Sequence, residues 1–473
     1  MMKYEITIGL ETHIMQKTKT KMFCGCKYQY GAVPNTNICS ICLGYPGALP
    51  NLNKHAIELC CKAGLLLGCE INLLSSWDRK NYFYPDMSKN YQITQNEYPL
   101  CIDGEIKVNV LGKIKTFQIE RIHQEENAAK NTHINGTSYI DYNRAGTALM
   151  EIVSTPCMHS AADAVAYMMA IKQIMQYAEI SDCNQEKGQM RSDVNISVRL
   201  FGDEKLGSKV EIKNMNSFSF INDAINFEVQ RQIDILESGG TVNQETRGYD
   251  SDRGETFLQR SKEDAHDYRY FPEPDLLPLK IEKEQISKWY DELPELPSNR
   301  KERYINLGLP EYDSGILTSS KEIADWFEEV LSYTNHIKLV SNFIMTDIIR
   351  LISVNNISIL NSKITPKIFA EIINLNQDST ISNTSARELI DIIFVNGGNP
   401  NDIIEENQMI QVSDDSALED WVDAAINSNL KAVQEYKNGN QSSINFIMGQ
   451  VMKASKGKAN PGAVMEMLKG KLN

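Results

Sequence analysis

Residues 117–154 read FQIERIHQEENAAKNTHINGTSYIDYNRAGTALMEIVS. Glu120, Glu125, Glu126, Asp141 and Glu151 stand here among apolar and β-branched neighbours, not in a solvated charge run. Residues 140–142 and 149–153 have the composition of short strands. A strand alternates its faces, so Glu151 points away from Met150 and Ile152, and Asp141 away from Ile140 and Tyr142. Carboxylates carried to one cleft by neighbouring strands repel one another unless a cation or a proton holds them. The stretch predicts a strand-built domain whose acids either form a hard-metal site for phosphate chemistry or decorate a solvated sheet face.

Toward the N-terminus, residues 4–15 (YEITIGLETHIM) alternate as a strand and put Glu11 and His13 on one face. That pair suits a divalent metal or a proton relay, and equally a structural histidine. Cys24 and Cys26, then Cys39 and Cys42, are two close cysteine pairs of the kind that hold zinc tetrahedrally. The remaining cysteines lack such spacing and read as core. A helix is expected over residues 53–68. Residues 75–95 interleave Trp77, Tyr82, Phe83, Tyr84 and Tyr91 with Arg79, Lys80 and Lys89. This suits stacking on bases and gripping phosphates, or else a core strand and turn. Residues 101–122 are expected to form a hairpin with turns at Asp103-Gly104 and Leu111-Gly112.

Downstream, residues 160–178 and 217–238 read as helices around two further strand segments. In the first, Arg191, Asp193, Asn195 and Ser197 alternate with apolar residues; in the second, Glu211 and Lys213 oppose Val210 and Ile212. Asn and Asp are poor strand formers, which favours a phosphorylated ligand on these faces over plain solvent. The prolines following Tyr268–Phe271 imply an extended path. After residues 293–297 the strand signals stop. Helical patterns cover 321–333, 338–354, 366–375 and 386–396, a break falls at Asn396–Pro400, and 415–473 reads as three or four helices. The expectation is an α+β chain in three parts: a mixed α/β cradle over 1–293, a helical middle domain over 294–400 and a helical tail over 401–473.

A chain of 473 residues exceeds one core. Its net charge of −14 argues against a nonspecific nucleic-acid coat. Lys431–Asn473 nevertheless holds seven lysines, no arginine and two acids, which suits contact with RNA or a solvated helical face. No run reaches membrane-span length and no signal-peptide pattern opens the chain, so the cytoplasm is expected. The phosphate loop, the nucleophile elbow, the zinc-protease pair and the dinucleotide fingerprint are all missing, so any nucleotide is held on the strand scaffold.

In order along the chain, GLETH, CLGYPGALP, DRKNYFYPD, the EEN segment, DYNRAGTALMEIVS, VEIKNMNSF, AHDYRYFPEPD and MKASKGKANPG together resemble the B subunits of the bacterial tRNA-dependent amidotransferases (GatB). The resemblance covers nearly the whole chain. It implies an N-terminal cradle, a helical middle domain and a tail that contacts tRNA. It implies a glutamine-hydrolysing ligase that phosphorylates the side-chain carboxylate of Glu-tRNA(Gln) or Asp-tRNA(Asn) with ATP, then amidates it. Ammonia would come from a glutaminase A subunit, with a small C subunit as tether. By this resemblance His13, Glu126 and Glu151 would hold Mg²⁺ (or Mn²⁺), with Glu11 and Glu125 in the same shell. Arg79, Lys80, Tyr82, Arg191, Asp193, Asn195, Lys213, Asn214 and Asn216 would bind nucleotide or the aminoacylated end. Cys24, Cys26, Cys39 and Cys42 would hold a structural zinc, and Lys453, Lys456 and Lys458 would meet tRNA. The chain departs from the usual pattern at Asn127, Ala129 and Ala148, where Asp, Gly and Pro are common. The alternative is a noncatalytic zinc- and RNA-binding adaptor that uses the cysteines and the basic tail.

Overall fold

The computed structural model describes residues 3–213, 215, 217–261, 267–411, 415–455 and 457–472. The chain divides into two compact units, residues 1–296 and 297–473.

The first unit is organised by a nine-stranded sheet. Its strands are β1 (Tyr4–Met15), β2 (Glu70–Ile71), β3 (Cys101–Val110), β4 (Lys113–Glu126), β5 (Ala148–Ser154), β6 (Met190–Leu200), β7 (Val210–Lys213), β8 (Glu245–Asp250) and β9 (Glu255–Ser261). They lie in the order β9-β8-β7-β6-β1-β5-β4-β3-β2. Only β7 and β8 pair in parallel. The amino-terminal strand therefore sits at the centre, between β5 and β6. Its even-numbered side chains Ile8, Leu10 and Ile14 join Ile122, Met150, Ile152, Val194 and Ile196 in one buried cluster. Helices α1 (Lys54–Leu66), α2 (Ala161–Tyr177) and α3 (Phe218–Glu237) contribute Ile57, Tyr167, Met168 and Ile225 to the same cluster. Each starts at a polar N-cap whose side chain accepts backbone N–H groups: Asn53, Ser160 and Ser217. With the even face covered by helices, the odd face is left to build the site.

The expected hairpin forms, but it turns only at Leu111-Gly112. Asp103-Gly104 lies inside β3, where Asp103 takes a φ of 55° while the pairing with β4 keeps one register on either side of it. Gly104 is there because the backbone passes close by: a Cβ would meet Cys69 Sγ at 2.4 Å and Leu67 O at 2.9 Å. Asp78–Asn81 pairs with Tyr91–Thr94 and with Phe271–Pro272 in a separate three-stranded sheet.

The second unit is helical, from Pro297–Asn306 to Pro461–Leu472. It holds two hydrophobic clusters. One gathers Phe327, Ile344, Phe369 and Ile393, the other Leu418, Val422, Ile447 and Leu468. The helix expected over 338–354 is interrupted by a π-helical turn at Ile344–Ile348. Short polar helices at Pro297–Asn306, Glu311–Leu317 and Pro400–Glu406, and at Lys283–Asp291 in the first unit, carry too few apolar positions to show in the periodicity.

Candidate active site

Register brings the odd face together. His13 on β1 stands opposite Glu151 on β5 and Arg191 on β6, and Glu151 stands opposite His123 on β4. Glu125, two residues after His123, shares its face. His13 Nε2 lies 3.4 Å from Glu151 Oε2 and 3.7 Å from Glu125 Oε1. His123 Nε2 lies 3.2 Å from Glu151 Oε2 and 4.0 Å from Glu125 Oε2. One donor atom each from His13, Glu125 and Glu151 fall within 4.8 Å of one another. Glu125 Oε1 is buried without a hydrogen-bond partner.

This centre lies in a cleft of about 780 Å³. Lys80, Arg191, Lys213, Arg260 and Arg269 line it, and Tyr82, Phe83 and Tyr84 supply aromatic wall. Burial pulls His13 down to about 3. The imidazole is thus neutral near pH 7 and keeps a lone pair to donate. Burial and the nearby Glu151 charge push the Glu125 carboxyl up. Burial and Glu151 do the same to Glu11. Burial disfavours the Glu151 carboxylate too, but His13, His123 and Lys80 hold it down. Burial also works against the Lys80 ammonium, and Glu125, Tyr270 and Glu151 outweigh it, so its pKa is raised. A neutral imidazole and two crowded carboxylates, one with an orphaned oxygen, fit a divalent cation.

Beside the centre, Glu11, Asp193 and Glu211 form a second acidic group. It is already compensated: Lys213 Nζ sits 3.1 Å from both Asp193 Oδ2 and Glu211 Oε1. Asn195 does not line the cleft; its Nδ2 donates to Glu11 Oε1 at 2.9 Å and orients that carboxylate.

Several expected residues fall elsewhere. Glu126 is not brought to the centre, because one step along β4 reverses the face. Its Oε1 accepts from Lys89 Nζ, and from Ile93 N at 3.0 Å. Glu125 stands where the sequence reading put Glu126. Arg79 also turns away, giving two hydrogen bonds to Glu273 at 2.7 and 2.8 Å and stacking over Tyr91. Glu120 pairs with Arg121 at the surface, and Asp141 accepts from Asn35 N and Asn143 N. Asn214, Asn216 and Lys456 lie outside the described residues. Lys453 is exposed at the end of helix Ser443–Ala454, and Lys458 follows in the turn. His123, Arg260 and Arg269 were missed. His123 was within reach, since it stands at the same two-residue spacing from Glu125 as Glu11 from His13. Arg260 comes from a segment without a local signal, and Arg269 stands in the AHDYRYFPEPD stretch, whose prolines pointed only to an extended path.

Cys24, Cys26, Cys39 and Cys42 bring their sulfurs within 4.8 Å of one another. Cys39 N donates to Cys42 Sγ at 3.2 Å. A hydrogen bond with Cys24 holds the Cys42 thiol down to about 4 against the effect of burial, helped by Lys21. Four sulfurs with one readily ionised suit a soft or borderline metal such as zinc. Of the other cysteines, all but the half-buried Cys157 are buried. Asn127, one of the departures, is buried and its backbone bonds to Thr147 and Gly146, so it acts in the turn beneath β5.

Residues 6–287 match the family described as the GatB/GatE catalytic domain, and residues 325–472 match the GatB domain. The chain is 47% identical over 469 residues to the B subunit of the aspartyl/glutamyl-tRNA(Asn/Gln) amidotransferase of Persephonella marina, covering 99% of each chain. It is 44% identical to the same-named protein of Moorella thermoacetica over the full length of both. Identity to that of Caldicellulosiruptor bescii is 46%, covering all of this chain and 99% of the relative.

Proposed function

This chain belongs to the GatB/GatE family of tRNA-dependent amidotransferase B subunits, and from that premise we propose how its own residues carry the reaction. It is one subunit of an ATP-dependent, glutamine-hydrolysing ligase that converts misacylated tRNA. The side-chain carboxylate of tRNA-bound glutamate or aspartate attacks the γ-phosphorus of ATP, which releases ADP and leaves an acyl phosphate. Ammonia then attacks the acyl carbon, and phosphate departs as the amide forms. Both steps crowd anions, so alignment and cationic compensation dominate.

Lys80, Arg191 and Arg260 at the cleft wall supply fixed positive charge to the phosphates. Lys213 keeps Asp193 and Glu211 from repelling them. His13, Glu125 and Glu151 would hold a magnesium or manganese ion, which when bound neutralises charge on the phosphate oxygens. Glu11, oriented by Asn195 and made a better base by burial, takes the proton that the attacking ammonia sheds. Tyr82 and its aromatic neighbours pack against the base or the terminal adenosine.

The observation that carries this reading is the convergence of His13, Glu125 and Glu151 at the floor of a cation-lined cleft. A noncatalytic zinc and RNA adaptor has no use for that convergence. A three-part division (1–293 for chemistry, 294–400 as linker, 401–473 for tRNA) has the support of three separate hydrophobic clusters in its number of parts, while the second cluster runs on past residue 400 to Met409. The finer assignments are zinc at the four cysteines, a glutaminase A subunit and a C subunit as partners, tRNA contact through Lys453 and Lys458, and a cytoplasmic location. Among the described residues no helix is long and apolar enough to cross a membrane.

The test is a single turnover of the assembled complex with Glu-tRNA(Gln), ammonium, Mg²⁺ and ATP. Glu125→Gln is expected to lose ATP-dependent formation of Gln-tRNA while still binding tRNA. More than a tenth of wild-type conversion in that variant would sink the assignment of the centre.

A further inference from the structure

Glu126 is displaced from the acidic centre, yet its position is not idle. It is 3% exposed, one residue from Glu125, and it accepts three times from residues 89–93. Its Oε1 takes Lys89 Nζ and Ile93 N, and its backbone carbonyl takes Gln92 Nε2 at 2.7 Å. Strand Tyr91–Thr94 pairs with Asp78–Asn81, the strand that delivers Lys80 to the cleft. Glu126 therefore ties β4, which carries Glu125, to the segment that carries Lys80.

The same carboxylate reaches the cysteine knuckle. Lys89 and Ser88 pack directly on it: Ser88 Oγ donates to Cys42 O at 2.8 Å, and a Cβ on Gly44 would lie 2.7 Å from Lys89 Cγ. Gly44 has a φ of +70°, so only a glycine lets the knuckle approach this closely without strain. From the other side, a Cβ on Gly146 would lie 3.6 Å from Cys42 Cβ and 3.7 Å from Glu126 Oε2. Lys89, Glu126 and the wall of the knuckle share one small cavity of about 90 Å³. A buried ion pair of this kind has two fixed arrangements, made or broken, and so can transmit order between the groups it joins.

We propose that Glu126 is a positioning residue that, through Lys89, makes metal binding at the four cysteines and divalent-cation binding at His13, Glu125 and Glu151 mutually reinforcing. This rests on the metal-binding reading of the acidic centre given above. A filled knuckle fixes Cys42 and Gly44, which fix Ser88 and Lys89. Lys89 holds Glu126, and Glu126 sets the end of β4 and the register of the Lys80 strand beneath the cleft. By linkage, each metal then raises the affinity for the other by the same factor.

The experiment measures Mn²⁺ affinity by electron paramagnetic resonance on the assembled complex, zinc-loaded and zinc-stripped, with zinc content read by atomic absorption. Glu125→Gln serves as the control that subtracts Mn²⁺ bound elsewhere. Zinc removal is expected to weaken Mn²⁺ binding about five- to tenfold. Glu126→Gln and Lys89→Met, with zinc in place, are expected to weaken it similarly, and stripping zinc from either adds less than a twofold further loss. Independent, multiplying losses would show that the coupling does not run through Glu126. Equal Mn²⁺ affinity with and without zinc, or a complex that takes up no zinc, would overturn the proposal even if both variants failed to fold, because that arm needs only the wild type. Mn²⁺ binding that survives Glu125→Gln unchanged would instead sink the acidic centre itself.

Discussion

Two buried groups of carboxylates in the first unit are built in opposite ways. Glu228 on α3 is fully buried, both its oxygens accept hydrogen bonds, and two arginines balance its charge. It accepts from Arg231 Nε at 3.0 Å and Nη2 at 2.7 Å, from Gln232 Nε2 at 2.9 Å and from Thr256 Oγ1 at 2.9 Å, with Arg247 Nε 3.5 Å away. This network locks α3 to β8 and β9. At the cleft, Glu125 and Glu151 crowd each other and two histidines, and Glu125 Oε1 accepts no hydrogen bond. One group has its counter-charges built in and holds the fold. The other leaves charge for a visiting cation and anionic substrates to balance.

Breaking each group separates the two roles. Glu228→Ala removes the buried carboxylate that joins the half-buried Arg231 and Arg247, leaves Glu245 as their remaining acidic partner, and is expected to cost about 1–3 kcal/mol in denaturant unfolding of the chain. Retained stability would mean that the arginines find other partners. Glu125→Gln is expected to lower single-turnover amidation about 10²- to 10³-fold. It should leave metal-free thermal stability unchanged or raised, because it removes one of two repelling charges. A fall in stability comparable to that of Glu228→Ala would erase the distinction between the groups.

Cation binding sharpens the contrast further. Mg²⁺ or Mn²⁺ at a hundred times its dissociation constant should stabilise the wild type by about 2.7 kcal/mol, and Glu125→Gln should not respond. The smallest effect is expected in the tail, where the same distinction holds for lysines. Lys471 is matched by Glu419 at 2.8 Å and Asp423 at 2.6 Å. Lys458 has no such partner among the described residues. Lys458→Ala should weaken tRNA binding modestly and lower the slope of log affinity against log salt by about one, as for one lost phosphate contact. Lys471→Ala should change neither.

What could be read from the chain alone was what is local. The cysteine quartet follows from two short spacings, since both pairs lie on turns close in sequence. The strands at 4–15 and 190–200 and the facing of Glu151 follow from period-two alternation. Helices at 54–66, 161–177 and 218–237 follow from apolar faces and polar caps. The same alternation could have separated Glu125 from Glu126 and admitted His123, had β4 been read through to its end at Glu126. Tertiary structure alone decided which face of each strand looks into the cleft. Register across β4, β5, β1 and β6 aligns His123, Glu151, His13 and Arg191 in one row. It decided too that Arg79 serves Glu273 while Lys80 enters the cleft, and that Arg260 arrives from β9. Several of those choices depend on pairings between segments more than a hundred residues apart, as between β1 and both β5 and β6 and between Arg79 and Glu273. Spacing along a chain fixes which side chains share a face; only strand pairing fixes what that face meets.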